Sequence, residues 1–138
     1  MTAPFTTEIR AEPLAISALT EQAMEYLGAA GVDARATHHV ALVIEEVLAN
    51  VASHGQASGG TVQVRIDILP DRVTSEILDP GLPFDPRTAP APDLEADVDN
   101  RAIGGVGLLL VKTLTSELDY ERSGERNRTR FAVARAPT

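Results

Sequence analysis

The chain contains no cysteine and no tryptophan, and only two tyrosines and three phenylalanines among its 138 residues. The missing thiols exclude disulfides, a cysteine nucleophile and thiolate zinc sites, and they agree with a reducing compartment. With aromatic residues at 4%, the core has to be built from Val, Leu, Ile and Ala, and no stacking platform for single-stranded nucleic acid is present. Basic residues are scarce relative to acidic ones. Twelve Lys and Arg against twenty Asp and Glu give a formal charge of −8, which argues against direct contact with DNA or RNA. Long apolar runs are missing too, so nothing approaches a membrane span. The stretch from Met1 to Arg10 lacks the basic run and apolar core of a secretory signal. The expectation is a cytoplasmic protein with no membrane association, forming one domain whose core needs no covalent staples. A nucleotide remains admissible as a ligand, because backbone amides, a helix N-terminus and a divalent cation can offset negative charge locally.

What is there reads as an alternation of helices and strands. Thr6 to Ala11 alternates weakly as a first strand with Phe5 and Ile9 inward. Pro13 opens a first helix over residues 13 to 30, with Leu14, Ala18, Met24 and Leu27 near one face and Gly31 as its stop. Asp33 is a fitting N-cap for a second helix that runs to Gly55. Thr61 to Leu69 alternates cleanly, Leu69 to Arg72 supplies a turn, and Val73 to Asp79 resumes the alternation, so the pair forms a hairpin with Asp79 on the inward parity. A carboxylate there requires a partner. Pro80 to Gly105 holds most of the prolines and no apolar period, a long connection of the kind used for lids. A third helix is expected from Leu108 to Leu114, directly after the glycines. Asp119 to Arg122 and Thr129 to Val133 are expected as strands around a turn at Ser123 to Asn127.

The second helix carries an anomaly. Glu46, Asn50 and His54 stand at i, i+4 and i+8, so a carboxylate, an amide and an imidazole share one face, flanked by an apolar stripe of Val40, Val43, Ile44, Val47, Leu48 and Val51. A helix packed this way borders a cleft with its polar column. Taken singly, each signal also has a plain structural account. Glu46 beside Glu45 is equally a solvated helix face, and His54 is a favourable cation at a helix C-terminus. Asp79-Pro80-Gly81 is an ordinary turn, the glycines before Leu108 are a hinge without the lysine of a P-loop, and Thr129 is a strand residue.

Their order carries more than any one of them. Glu46-x-x-x-Asn50-x-x-x-His54-Gly55, then Asp79-Pro80-Gly81 with Phe84-Asp85-Pro86, then Gly104-Gly105-Val106-Gly107-Leu108, then Asp119-Tyr120 and Gly124 to Thr129, resemble the ATPase superfamily of gyrase, histidine kinases and MutL (GHKL, Bergerat fold). Within it the chain is similar to the anti-sigma-factor serine/threonine kinase branch, over most of its length from Val40 to Val133. The resemblance implies an α+β, two-layer sandwich with a mixed, mostly antiparallel sheet of about five strands and three main helices on one face. It implies one ATPase domain over residues 1–138, with a mobile ATP lid at about 84–105.

It further implies ATP and Mg2+ as cofactors. Asn50 would hold the metal, Asp79 would accept from the adenine amino group, Gly81 and Phe84 would border the base, and Thr129 would sit beneath it. Gly104, Gly105, Val106, Gly107 and Leu108 would bring backbone amides to the phosphates. In the kinase branch the residue at Glu46 is the general base, and Arg101 is a candidate cation for the transferring phosphate. His54 then reduces to a support at the helix end. The implied partners are a sigma factor or a small anti-sigma antagonist protein, and the implied assembly is a homodimer. The implied activity is ATP-dependent serine/threonine phosphorylation of that antagonist; a nucleotide-gated protein-binding regulator without phosphotransfer is the alternative.

Overall fold

The computed structural model describes residues 2–54, 60–88 and 105–137. Within these the chain runs β1 (Phe5–Ile9), α1 (Pro13–Ala29), α2 (Ala34–His54), β2 (Val62–Ile68), β3 (Arg72–Asp79), α3 (Gly105–Leu114), β4 (Glu117–Ser123) and β5 (Arg126–Ala134). The five strands form one sheet in the order β1-β2-β3-β5-β4. Where the resemblance allows a mixed sheet, every pairing among the described strands is antiparallel. The last strand is inserted between β3 and β4, which sets Asp79 opposite Asn127 and Ile77 opposite Thr129.

Alternation makes the sheet two-faced. Val62, Val64 and Ile66 of β2, Val73 and Ile77 of β3, and Phe131 and Val133 of β5 are buried with the apolar stripe of α2 and with Ile16, Leu19, Ala23 and Leu27 of α1. Val111 of α3 joins the same core. The opposite face is charged: Arg128 and Arg130 of β5 lie 3.4–4.0 Å from Glu76 of β3 and Glu121 of β4. Such exposed pairs each contribute at most about 1 kcal/mol, so the helical face supplies most of the stability.

The local signals act as their chemistry requires. Asp33 caps α2 by accepting from the Ala36 N–H at 3.1 Å, and its other oxygen takes the Ala136 N–H at 2.8 Å. These donors, Ala136 first, hold the Asp33 carboxyl below its ordinary pKa. Gly31 adopts φ +82°, and the Val32 and Gly31 N–H groups return to the carbonyls of Leu27 and Gly28 at 3.0 and 3.1 Å. This is the glycine-terminated closure of a helix, with Val32 packed back on Leu27.

Three expectations change. The buried face of α1 is Ile16, Leu19, Thr20, Ala23 and Leu27, while Leu14 and Met24 are 88% and 38% exposed. The three- and four-residue steps close on Ile16 rather than on Leu14, rotating the stripe around the helix. α3 begins at Gly105, so Gly105 and Gly107 belong to the helix instead of preceding it. β4 and β5 extend to a two-residue connection at Gly124–Glu125, and the stretch expected as a turn up to Asn127 is strand.

Leu27 is fully buried between α1 and the core, away from the β3 and β5 ends. Leu27→Ala is expected to lower the free energy of unfolding by about 2–5 kcal/mol, measured by urea denaturation followed by far-ultraviolet circular dichroism.

Candidate functional site

The sheet topology assembles a cleft where β3 ends and β5 begins. Its helical wall is Val47, Asn50 and Val51 of α2, its floor is Asp79, Asn127 and Thr129, and its rim is Leu82, Phe84 and Pro86. The space between these walls, counting the part open to solvent, is about 350 Å³. An apolar wall with a few fixed polar groups is the ordinary composition of such a site.

Four polar residues of the cleft, Asn50, Asp79, Asn127 and Thr129, are buried. Asp79 Oδ1 accepts from the Gly81 N–H at 2.9 Å and from Asn127 Nδ2 at 3.0 Å. Asn127 Nδ2 also donates to the Leu82 carbonyl at 2.8 Å. The Asn127 oxygen accepts from the Tyr120 hydroxyl and, at 3.2 Å, from Arg122 Nη1, which also donates to the Gly81 carbonyl at 2.6 Å. The inward carboxylate thus receives the partners its burial demands. At the rim, Asp85 accepts from the backbone and guanidinium of Arg87 at 2.8–3.3 Å, and these bonds, the side-chain bond first, lower the Asp85 pKa.

One turn N-terminal to Asn50 on the same helix, Glu46 meets the start of α3. A Cβ added at Gly107 would stand 2.0 Å from Glu46 Oε2 and 2.8 Å from its carboxyl carbon. Only glycine lets the carboxylate occupy that space. Burial, reinforced by the neighbouring Glu45 charge, raises the Glu46 pKa above its ordinary 4.5. That is the direction a general base working near neutrality requires. The Asn50 Nδ2 is buried with no hydrogen-bond partner, an orphaned polar group of the kind that a ligand satisfies.

The expected site residues therefore fall into distinct groups. Asn50, Asp79, Phe84 and Thr129 line one cleft. Gly81 is buried at its edge and donates to Asp79. Glu46 and Gly107 touch each other, and Leu108 is buried next to that contact. Gly105 and Val106 lie in the first turn of α3, with the Val106 side chain outside the described atoms, as is that of His54 at the end of α2. Arg101, Gly104 and most of the expected lid lie outside the described residues. Asn127, Tyr120 and Arg122 were not assigned roles by the sequence. Asn127 shares strand parity with Thr129, a signal obscured by placing it in a turn.

Asn50 offers a hard amide oxygen, a donor suited to magnesium, which takes few protein ligands. Among the described residues no group of three or more His, Cys, Asp or Glu is placed to hold a metal ion. Among the described residues Asn50 is one that could hold a divalent ion together with ligand oxygens and water. No helix among the described residues is long and apolar enough to cross a membrane.

Comparison with known proteins gives concordant results. Residues 9–133 match the family described as histidine kinase-like ATPase domain. A Bordetella bronchiseptica protein, serine/threonine-protein kinase BtrW, is 29% identical over 106 residues, which is 75% of this chain and 75% of that protein. A solved structure of the RsbU and RsbW domains of Rv1364c from Mycobacterium tuberculosis superposes with a TM-score of 0.70 at 16% identity, covering 99% of this chain. This chain spans only 33% of that two-domain protein. The mycobacterial sensor histidine kinase MprB gives a TM-score of 0.51 at 16% identity over 99% of this chain and 100% of that one. At these identities the two structural likenesses describe the fold.

The crowding at Glu46 has a pH signature. A carboxyl whose folded pKa lies above its unfolded value favours the fold when protonated, and that contribution is lost as pH rises through the folded pKa. Glu46→Gln removes the partly desolvated charge, so its melting temperature is expected to exceed wild type at neutral and alkaline pH. The difference should close as pH falls below about 4.5, where both states of the wild-type carboxyl are protonated. Differential scanning calorimetry across that range checks it.

Proposed function

We propose that this chain, which belongs to the histidine kinase-like ATPase domain family, binds ATP with Mg2+ and phosphorylates a serine or threonine on a small antagonist protein of an anti-sigma-factor pathway. The observation that carries the reading is the cleft itself: Asp79, Thr129 and Asn50 converge on one cavity, and Glu46 stands one helical turn away against the glycine start of α3. The likeness to a protein named as a serine/threonine kinase supports the kinase class.

In this reading the base enters between Asp79 and the Leu82–Phe84 rim. A carboxylate oxygen accepts an exocyclic amino group, whereas a carbonyl in the same place would leave that oxygen desolvated and unpaired. Asn50, through its amide oxygen, is the residue that would hold the magnesium ion, and its unpaired Nδ2 is a donor that a ligand oxygen would satisfy. When bound, magnesium supplies charge neutralisation and alignment of the phosphates. α3 sets Gly107, in its first turn, against Glu46 of α2, and the first N–H groups of a helix have no intrahelical partner and suit a phosphate. Arg101 is proposed as the cation for the transferring phosphate.

The hydroxyl oxygen of the acceptor forms a bond to the γ-phosphorus, and the bond from that phosphorus to the bridging oxygen breaks, releasing ADP. The hydroxyl proton passes to the Glu46 carboxylate, whose raised pKa favours taking it. The phosphorylated product carries added negative charge into contact with a protein of net charge −8. Repulsion then weakens re-binding, which gives partner exchange a simple electrostatic drive.

ATP with Mg2+ at a hundredfold excess over Kd is expected to raise Tm by about 5–10 °C, with GTP doing far less. No shift with either nucleotide would sink the reading. With labelled ATP and the cognate antagonist, Glu46→Gln is expected to retain nucleotide binding and lose phosphotransfer by about 10²–10⁴. Full transfer in that variant would remove Glu46 as the base, and binding without any transfer in the wild type would favour a nucleotide-gated regulator.

A further inference from the structure

We infer that Asn127 is a positioning residue that sets nucleobase selectivity, by occupying one oxygen of Asp79 and pinning the Gly81–Leu82 turn so that only the other Asp79 oxygen is left to meet a base amino group. The inference rests on the nucleotide reading of the cleft given above.

The amide of Asn127 is saturated. It has two N–H donors and two acceptor lone pairs, and four partners take them. Nδ2 donates to Asp79 Oδ1 at 3.0 Å and to the Leu82 carbonyl at 2.8 Å. Its oxygen accepts from the Tyr120 hydroxyl and from Arg122 Nη1 at 3.2 Å. The partners also fix which way round the amide lies. A flipped amide would set its oxygen against the Asp79 carboxylate and the Leu82 carbonyl, and its NH2 against a guanidinium. Asn127 is therefore locked between a cation on one side and an anion on the other.

The consequence falls on Asp79. Its Oδ1 already receives two donors, Asn127 Nδ2 and the Gly81 N–H at 2.9 Å. Both of these donors go to Oδ1 and neither to Oδ2, and Asp79 lines the cleft. The acceptor offered to a ligand is thus a single oxygen at a fixed place. Arg122 holds the Gly81 carbonyl at 2.6 Å while Asn127 holds that of Leu82, so the wall beside that oxygen is fixed by the same pair. A residue that merely closed a turn would leave the choice between an amino and a carbonyl base edge unaffected. One that orients Asp79 cannot.

The test is isothermal titration of the full chain with ATP and with GTP, each with Mg2+, at about pH 7.5 and about pH 5.5. Asn127→Asp puts an oxygen where Nδ2 stood, a contact that two carboxyl groups make only with a proton between them. Among the described residues, the titratable or charged groups bonded to this position are Asp79, Tyr120 and Arg122. The variant is expected to lose roughly ten- to hundredfold in ATP affinity at the higher pH, with the ATP-to-GTP ratio collapsing, and to recover much of both at the lower pH. Asn127→Ser removes the donors without adding charge, and its ATP-to-GTP ratio should fall equally at both pH values. A wild-type ratio in either variant, or a loss in Asn127→Asp that ignores pH, overturns the inference. Failure of the wild type to bind either nucleotide is a different result, which overturns the cleft assignment and the inference with it.

Discussion

A carboxylate buried at the end of a strand has to be met by hydrogen-bond donors, and at Asp79 nearly every distinctive feature of the structure takes part in meeting it. A lone buried carboxylate would be strongly unfavourable. The Gly81 N–H, from the turn that follows, supplies one donor and Asn127 the other. Asn127 is available only because the last strand lies beside β3, where the register places it directly opposite. The sheet order β1-β2-β3-β5-β4 is therefore a condition of the cleft as well as of the core. The same strand brings Thr129 to the cleft floor and leaves Phe131 and Val133 for the apolar interior.

α2 serves two ends at once. Val40, Val43, Ile44, Val47, Leu48 and Val51 anchor it in the core, so Asn50 and Glu46 project from a rigid support. Functional groups on a packed helix are held more closely than groups on a loop. The core position also has a consequence at Glu46, where the carboxylate is partly desolvated and pressed against Gly107. The stability lost by crowding a charge there is offset by the burial of the stripe on the same helix, an arrangement often found where a residue is tuned for chemistry.

Much of this was legible in the chain. The strict alternation of Val62 to Ile68, the Asp33 cap and the Gly31 stop each depend on neighbours within a few residues, and each element formed where these cues stand. The polar column on α2 could be read because helical geometry alone puts Glu46 and Asn50 in register. The buried face of α1 was misplaced because Leu14, at the helix start, is as apolar as the residues that are buried, and only the packing of α1 on α2 decides between them. Asn127 was missed for a related reason. Its role exists only across strands, between residues 48 positions apart, and its one local mark, the strand parity it shares with Thr129, disappears when the position is read as a turn. The glycines before Leu108 read as a hinge or a phosphate cradle. The contact of Gly107 with Glu46 needed α3 to be brought against α2.

β5 is read from both sides. Asn127 and Thr129 face the cleft while Arg128 and Arg130 face the ion-paired surface of the sheet. A strand used on both faces has no slack, because a slip of one residue exchanges the two sets. Its register is set by the two-residue connection at Gly124–Glu125, with Ser123 paired to Arg126. That connection is therefore free in residue type within the limits of its turn, but fixed in length. A one-residue slip of β5 would turn two arginines into the cleft and two neutral residues onto the charged face. Among homologous chains that keep this cleft, length variation should gather in the loops that lead away from it.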